Sequence, residues 1–162
     1  LIKLEVETHD SYVDEDGFLF ITDRKKDLIV TAGGKNVAPQ PIENQIKTNP
    51  YVTNAVVLGD KRKFISALIV PDFEKLEEYA KSHNISYTGV EDLVKNDAVQ
   101  GFIEAEINKS TPELASYEKV KKVVLLDRDF ELESGEITPT LKVKRNIIED
   151  KYKNQIETLY KE

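Results

Sequence analysis

Three cations, Lys142, Lys144 and Arg145, fall within four positions at the end of a polar loop, Ser134-Gly135-Glu136-Ile137-Thr138-Pro139-Thr140-Leu141-Lys142. Gly and Pro bound that loop, so it can project from a rigid body while fixing its own shape. If the backbone is extended there, Lys142 and Lys144 share a side and Val143 faces the core. An ammonium held on such a loop can meet an anionic ligand, even in a chain of net charge −7. The plain alternative is a solvated basic loop leading into a helix.

A second stretch runs Asp23-Arg24-Lys25-Lys26-Asp27-Leu28-Ile29-Val30-Thr31-Ala32-Gly33-Gly34-Lys35-Asn36-Val37-Ala38-Pro39. Five charged residues precede Leu28, Ile29 and Val30, a short apolar run that reads as a buried strand. Gly33-Gly34 then permits φ > 0 and lets another backbone or a ligand come close. Without a ligand, the same pattern is a strand, a glycine turn and a helix start, with Pro41 suited to the first helical turn.

Other candidate groups lead nowhere. Asp14-Glu15-Asp16-Gly17 lacks the continuing ligands and final Glu of a calcium loop, and an Asp-Gly turn between strands is the better reading. His9, near a terminus, could act as a base only in principle, and His83 reads as a polar helix end. The basic residues from Lys119 to Arg128 are too few, beside Asp127 and Asp129, to imply nucleic acid, and the acidic net charge disfavours a phosphate backbone as partner. The chain of 162 residues has no Cys, which excludes disulfides and thiolate metal sites and makes the cytoplasm the default compartment. No apolar run approaches the ~20 residues of a membrane span, and the first residues do not lead us to expect a signal peptide. The absence of Met, at position 1 included, leads us to expect a fragment of a longer polypeptide.

The elements that must position these residues read as α+β. Leu4, Val6 and Thr8 alternate as in an exposed strand. Phe18–Ile21 and Leu28–Val30 are expected to form one hairpin with Asp23–Lys26 at its bend. Val52–Leu58 and Phe64–Val70 are expected to form a second. Val120–Leu126 is a further strand. Helices are expected at Gln40–Lys47, at Leu76–Ala80 behind an Asp72 N-cap, around Leu93, from Ala98 to Ala115, and from Asn146 to Glu162. The expected fold is therefore a small mainly antiparallel sheet, two hairpins plus a further strand, with packed helices in one domain, 1–162.

The 23–37 stretch, with Gly17-Phe18-Leu19-Phe20-Ile21-Thr22 before it, resembles the block that opens the small C-terminal domain of adenylate-forming enzymes. Gly135-Glu136-Ile137-Thr138-Pro139-Thr140-Leu141-Lys142-Val143-Lys144-Arg145 resembles that family's catalytic-lysine loop. Two long motifs in the right order, spanning roughly residues 13–150, make a specific signal, and it is most similar to the long-chain fatty acid–CoA ligases. In place of the family's Gly-Lys, Leu141 precedes Lys142, as in the long-chain ligases. Where the family has Thr-Gly-Asp, this chain has Thr8-His9-Asp10 with a shortened spacing, so the ribose-binding role does not pass to Asp10.

The resemblance implies a C-terminal cap domain whose partner is a large N-terminal adenylation domain of the same polypeptide. That larger domain would carry the phosphate loop and acyl pocket missing here, leaving this fragment inactive alone. It implies ATP, Mg2+ and coenzyme A as the enzyme's cofactors and cosubstrates, and a fatty acid as substrate. By position, Lys142 is catalytic, Arg24 contacts the nucleotide ribose, and Lys26 is the hinge. Gly33, Gly34 and Lys35 lie beside the coenzyme A tunnel. Lys144 and Arg145 are structural or rim charges. Membrane-surface association would suit the substrate. The alternative from another class is a stand-alone binding or interaction module on the same fold, acting in trans or docking a partner.

Overall fold

Strand β6 (Ile65–Pro71) is buried along its whole length because the sheet it centres is covered on both faces. The computed structural model describes residues 9–13 and 19–24 as backbone, and residues 28–140 and 142–161 in full. β6 pairs antiparallel with β5 (Val52–Leu58) and parallel with β7 (Val120–Leu125), giving the order β5-β6-β7. The period of two assigns the faces. Ala55, Val57, Ala67 and Ile69 enter one core with Ile42, Ile46, Leu76, Val99, Ile103 and Ile107. Val56, Leu58, Leu68 and Val70 enter the other with Phe130, Ile148, Tyr152 and Ile156.

Helices α1 (Pro39–Ile46), α2 (Phe73–Ser82), α3 (Val90–Val94) and α4 (Asp97–Ser110) contribute to the first face. α5 (Arg145–Lys151) and α6 (Lys153–Leu159) cover the second. α1 starts with Pro39 at its first position, where a missing N–H costs nothing. Asp72 caps α2 by accepting from the Lys75 N–H at 3.2 Å, as its sequence position suggests. Asn96 caps α4 through the Ala98 and Val99 N–H groups.

The α+β class and the hairpin of β5 with β6 match the reading from sequence. The first hairpin does not. β2 (Leu19–Arg24) pairs with β1 (His9–Val13), and β3 (Ile29–Val30) pairs with β4 (Asn36–Val37), so the strands fall into three sheets. The chain that follows β3 reverses at its glycines. Gly34 adopts φ +79, the Thr31 N–H donates to the Lys35 carbonyl at 2.9 Å, and the Gly34 N–H donates to the Thr31 carbonyl at 2.9 Å. A turn that tight brings Asn36 back onto Val30, leaving β3 no need of a distant partner on that edge. Leu4, Val6, Thr8 and the Asp14–Gly17 turn lie outside the described residues.

Two helices end differently from expectation. α4 stops at Ser110 rather than Ala115, because Pro112 disfavours helical backbone at Thr111. The C-terminal helix is broken at Tyr152, whose φ −101 and ψ 20 separate α5 from α6.

Candidate functional site

The polar loop is a pinned finger. Ile137 and Val143 form an antiparallel bridge. The Thr138 N–H donates to the Lys142 carbonyl at 2.8 Å, and the Lys142 N–H donates to Thr138 Oγ1 at 3.0 Å. Thr138 Oγ1 also lies 3.0 Å from Thr140 Oγ1. Gly135 enters the finger at φ +77, a conformation that favours glycine. Ile137 and Val143 are half-buried against the second core, while Lys142 and Lys144 are exposed on the other side, the arrangement expected of an extended backbone. The Lys142 ammonium has no ion-pair partner among the described residues.

The base of the finger is Glu136, whose side chain is fully buried. Arg128 grips its carboxylate at 2.9 and 3.3 Å, Ser134 Oγ donates at 2.5 Å, the Glu131 N–H donates at 3.3 Å, and Lys151 Nζ lies 3.4 Å away. Burial pushes this carboxyl up, but the Arg128 guanidinium, Ser134 and the Glu131 N–H together hold it down to about 2. Its backbone is engaged too. The Glu136 carbonyl accepts from the Lys144 N–H at 2.8 Å, and its N–H donates to the Glu131 carbonyl at 3.2 Å.

Arg145 closes the other side. Its guanidinium donates to the Val57 carbonyl at 2.6 Å and pairs with Glu43 Oε1 at 2.6 Å, and that oxygen also accepts from the Val57 N–H at 3.1 Å. Burial raises the Glu43 pKa against the opposing pull of Arg145. Of the three clustered cations, Arg145 is thus spent on joining α5 to α1 and β5. Lys142 and Lys144 stay available.

The glycine turn leans on the same β5–β6 hairpin. The Ala32 N–H donates to the Arg62 carbonyl at 2.9 Å, the Lys61 N–H donates to the Val30 carbonyl at 2.8 Å, and the Val30 N–H donates to Asp60 Oδ1 at 3.1 Å. Space beside Gly34 is open, with no heavy atom within 4 Å of where a Cβ would stand. Gly33 and Lys35 are exposed, and Lys35 Nζ sits 5.6 Å from the centre of the Tyr117 ring. The fold therefore hangs both motifs on one hairpin, Arg145 at Val57 and the glycine turn at residues 60–62. Arg24 lies in β2 opposite His9, and Lys26 lies outside the described residues.

Sequence reasoning missed Glu136, Arg128 and Glu43. Glu43 alone left a signal, a carboxylate three residues before Ile46 and beside Ile42 on the buried face of α1. Among the described residues, no group of three or more His, Cys, Asp or Glu could hold a metal ion.

Residues 26–162 match the family model described as the AMP-binding enzyme C-terminal domain. The chain is 43% identical over 150 residues to the long-chain-fatty-acid–CoA ligase FadD15 of Mycobacterium tuberculosis, covering 91% of this chain and 25% of that protein. It is 38% identical over 168 residues to the human long-chain-fatty-acid–CoA ligase ACSBG1, covering 93% and 23%. The chain spans about a quarter of the length of the curated relatives it matches. Among solved structures, it superposes with a TM-score of 0.72 on the adenylation domain of a carboxylate reductase from Mycobacterium chelonae, at 28% identity, covering 91% of this chain and 24% of that one. It superposes with a TM-score of 0.73 on the corresponding domain from Segniliparus rugosus, solved with AMP and a co-purified carboxylic acid, at 25% identity and the same coverage.

Proposed function

The chain belongs to the AMP-binding enzyme C-terminal domain family, and on that premise we propose that it is the cap of an ATP-dependent long-chain fatty acid–CoA ligase. The large N-terminal adenylation domain would lie in the same polypeptide and carry the acyl pocket and the phosphate loop. In the first half-reaction a fatty acid carboxylate oxygen attacks the α-phosphate of ATP, and pyrophosphate leaves. In the second, the coenzyme A sulfur attacks the acyl carbon, and AMP leaves. The relatives' names support the acid and the thiol, and the carboxylic acid and AMP held by the Segniliparus rugosus domain support the adenylate chemistry in that protein. The stand-alone module is not favoured.

The observation that carries the proposal is the Lys142 finger. The first step brings a carboxylate against a polyphosphate, and a positioned ammonium offsets that repulsion and stabilises charge in the transition state. Lys142 is a compact point charge on a pinned backbone and is not spent on a partner among the described residues. Arg145 is held, largely covered, in an ion pair and cannot substitute, while Lys144 is the natural control. Mg2+ would enter with the ATP phosphates; among the described residues no group of three or more His, Cys, Asp or Glu could hold it. Arg24 would contact the nucleotide ribose. Lys26 would serve as the hinge about which the cap rotates between half-reactions, bringing Gly33, Gly34 and Lys35 beside the pantetheine of coenzyme A. The open space at Gly34 supports such an approach. No helix among the described residues is long and apolar enough to cross a membrane. Cytoplasmic work at a membrane surface, where fatty acids collect, suits the proposed substrate.

In the full-length enzyme, Lys142→Ala should cost ~10²–10³ in the rate of acyl-adenylate formation, about 3–4 kcal/mol. Single-turnover pyrophosphate release measures it. Thioester formation from supplied acyl-adenylate should change far less, because rotation carries Lys142 away. The chain alone should return no activity in the same assay. Near-normal adenylation by Lys142→Ala, or a larger loss from Lys144→Ala, overturns the assignment.

A further inference from the structure

Lys142 reaches solvent from a short finger held to the body largely from its base, and that base is unusually heavily built. Glu136 is the only charged residue among the described ones whose side chain is completely buried. It joins three separate pieces of chain. Arg128 and the Glu131 N–H bind it from the segment after β7, Ser134 from the entry to the finger, and Lys151 from the end of α5. Its carbonyl receives the Lys144 N–H, two residues beyond the reactive lysine. The Ile137–Val143 bridge, which sets where Lys142 emerges, starts at the next residue. A solvated loop needs none of this, and no step of the proposed reaction uses the Glu136 carboxylate directly.

Building on the reading of Lys142 as the adenylation lysine, we propose that Glu136 is its positioning residue: the buried carboxylate, clamped by Arg128, Ser134 and Lys151, fixes the base of the finger so that the Lys142 ammonium is aimed before substrate arrives. The pieces it joins all pack on the α5–α6 face of the sheet, so fixing Glu136 fixes the finger to the body that rotates. Preorganisation of this kind acts on the chemical step, and a misplacement of 1 Å at the reacting centre can cost ~10²-fold. It should leave the second half-reaction alone, since Lys142 has no part there.

The test uses the full-length enzyme and Glu136→Gln, which keeps the side chain's shape and removes the charge that holds Arg128 and Lys151. Single-turnover pyrophosphate release at saturating fatty acid and ATP should fall about tenfold, a fraction of the loss a full ångström can cause. KM for ATP and thioester formation from supplied acyl-adenylate should be unchanged. Arg128→Lys, which keeps the cation but loses the two-point grip, should lose less. In a Lys142→Ala background Glu136→Gln should add nothing, as for residues acting as a unit. Equal loss in both half-reactions, wild-type adenylation, or a fully additive loss in that background overturns the inference. If Glu136→Gln does not fold, Lys151→Met removes one partly exposed donor and should give the same selective pattern at smaller size, and wild-type adenylation there is equally fatal. Near-normal adenylation by Lys142→Ala alone takes down the reading beneath as well. A loss by Lys142→Ala together with an additive Glu136→Gln fails this inference only.

Discussion

Glu43 and Glu136 are the same residue type, both buried, and both meet an arginine, yet their carboxyls are pushed in opposite directions. Glu43 collects Arg145 and the Val57 N–H on one oxygen, and burial wins. Glu136 collects Arg128 on both oxygens together with Ser134, the Glu131 N–H and the nearby Lys151, and the donors win. Glu136 has more donors and, though sealed from solvent, lies in a less deeply enclosed site than Glu43, and both differences favour its anion. The two also bracket the Lys142 finger. Glu136 stands at its entrance, and Glu43, through Arg145, stands just past its exit.

Removing Arg145 should break the comparison hardest. Arg145→Met strands Glu43 in the core without its cation, and breaking a buried pair from one side costs about 3–5 kcal/mol. Urea unfolding at neutral pH measures this, and a loss under 1 kcal/mol would mean that Glu43 is not buried in solution as described.

Glu136→Gln is the next largest for stability. A carboxyl held at about 2 against an ordinary 4.5 corresponds to about 3 kcal/mol of stabilisation. The folded value is depressed, so this contribution is present above the unfolded value and is lost as pH falls from about 4.5 toward 2. The stability difference between wild type and Glu136→Gln should therefore shrink across that window. A difference independent of pH would place the stabilisation elsewhere.

Glu43→Gln should have the smallest effect and the opposite pH trend. Its folded value is raised, so its contribution is full below the unfolded value and falls as pH rises through the folded one. At neutral pH the amide oxygen can still accept from the Val57 N–H and from Arg145, and Arg145 keeps the Val57 carbonyl, so this variant should destabilise less than Glu136→Gln. Denaturation of the two variants side by side checks the order, and a reversed order would undo the comparison.

Local chemistry was legible along the chain. The Asp72 cap, the proline start of α1, the β5–β6 hairpin and the paired exposure of Lys142 and Lys144 all follow from rules acting over a few residues. Pro112 was equally visible and should have ended α4 where the structure does. Strand partners were less so. Phe18–Ile21 and Leu28–Val30 are plausible neighbours by pattern, and only the tightness of the Gly34 turn gives β3 to β4 and frees β2 for β1.

The sequence by itself determined the class of the fold, the projecting lysine loop and the glycine turn, because periodicity, turn residues and caps act locally. The tertiary structure decided which charges remain available. Arg145 and Lys142 are three positions apart and look interchangeable as cations, but one is withdrawn by Glu43, 102 residues earlier, and by the Val57 carbonyl, 88 residues earlier. Glu136 likewise becomes an anchor only when β7's exit, the finger and α5 are packed on one face of the sheet. Burial and long-range pairing set the electrostatics of a site, and neither is written in spacing along the chain.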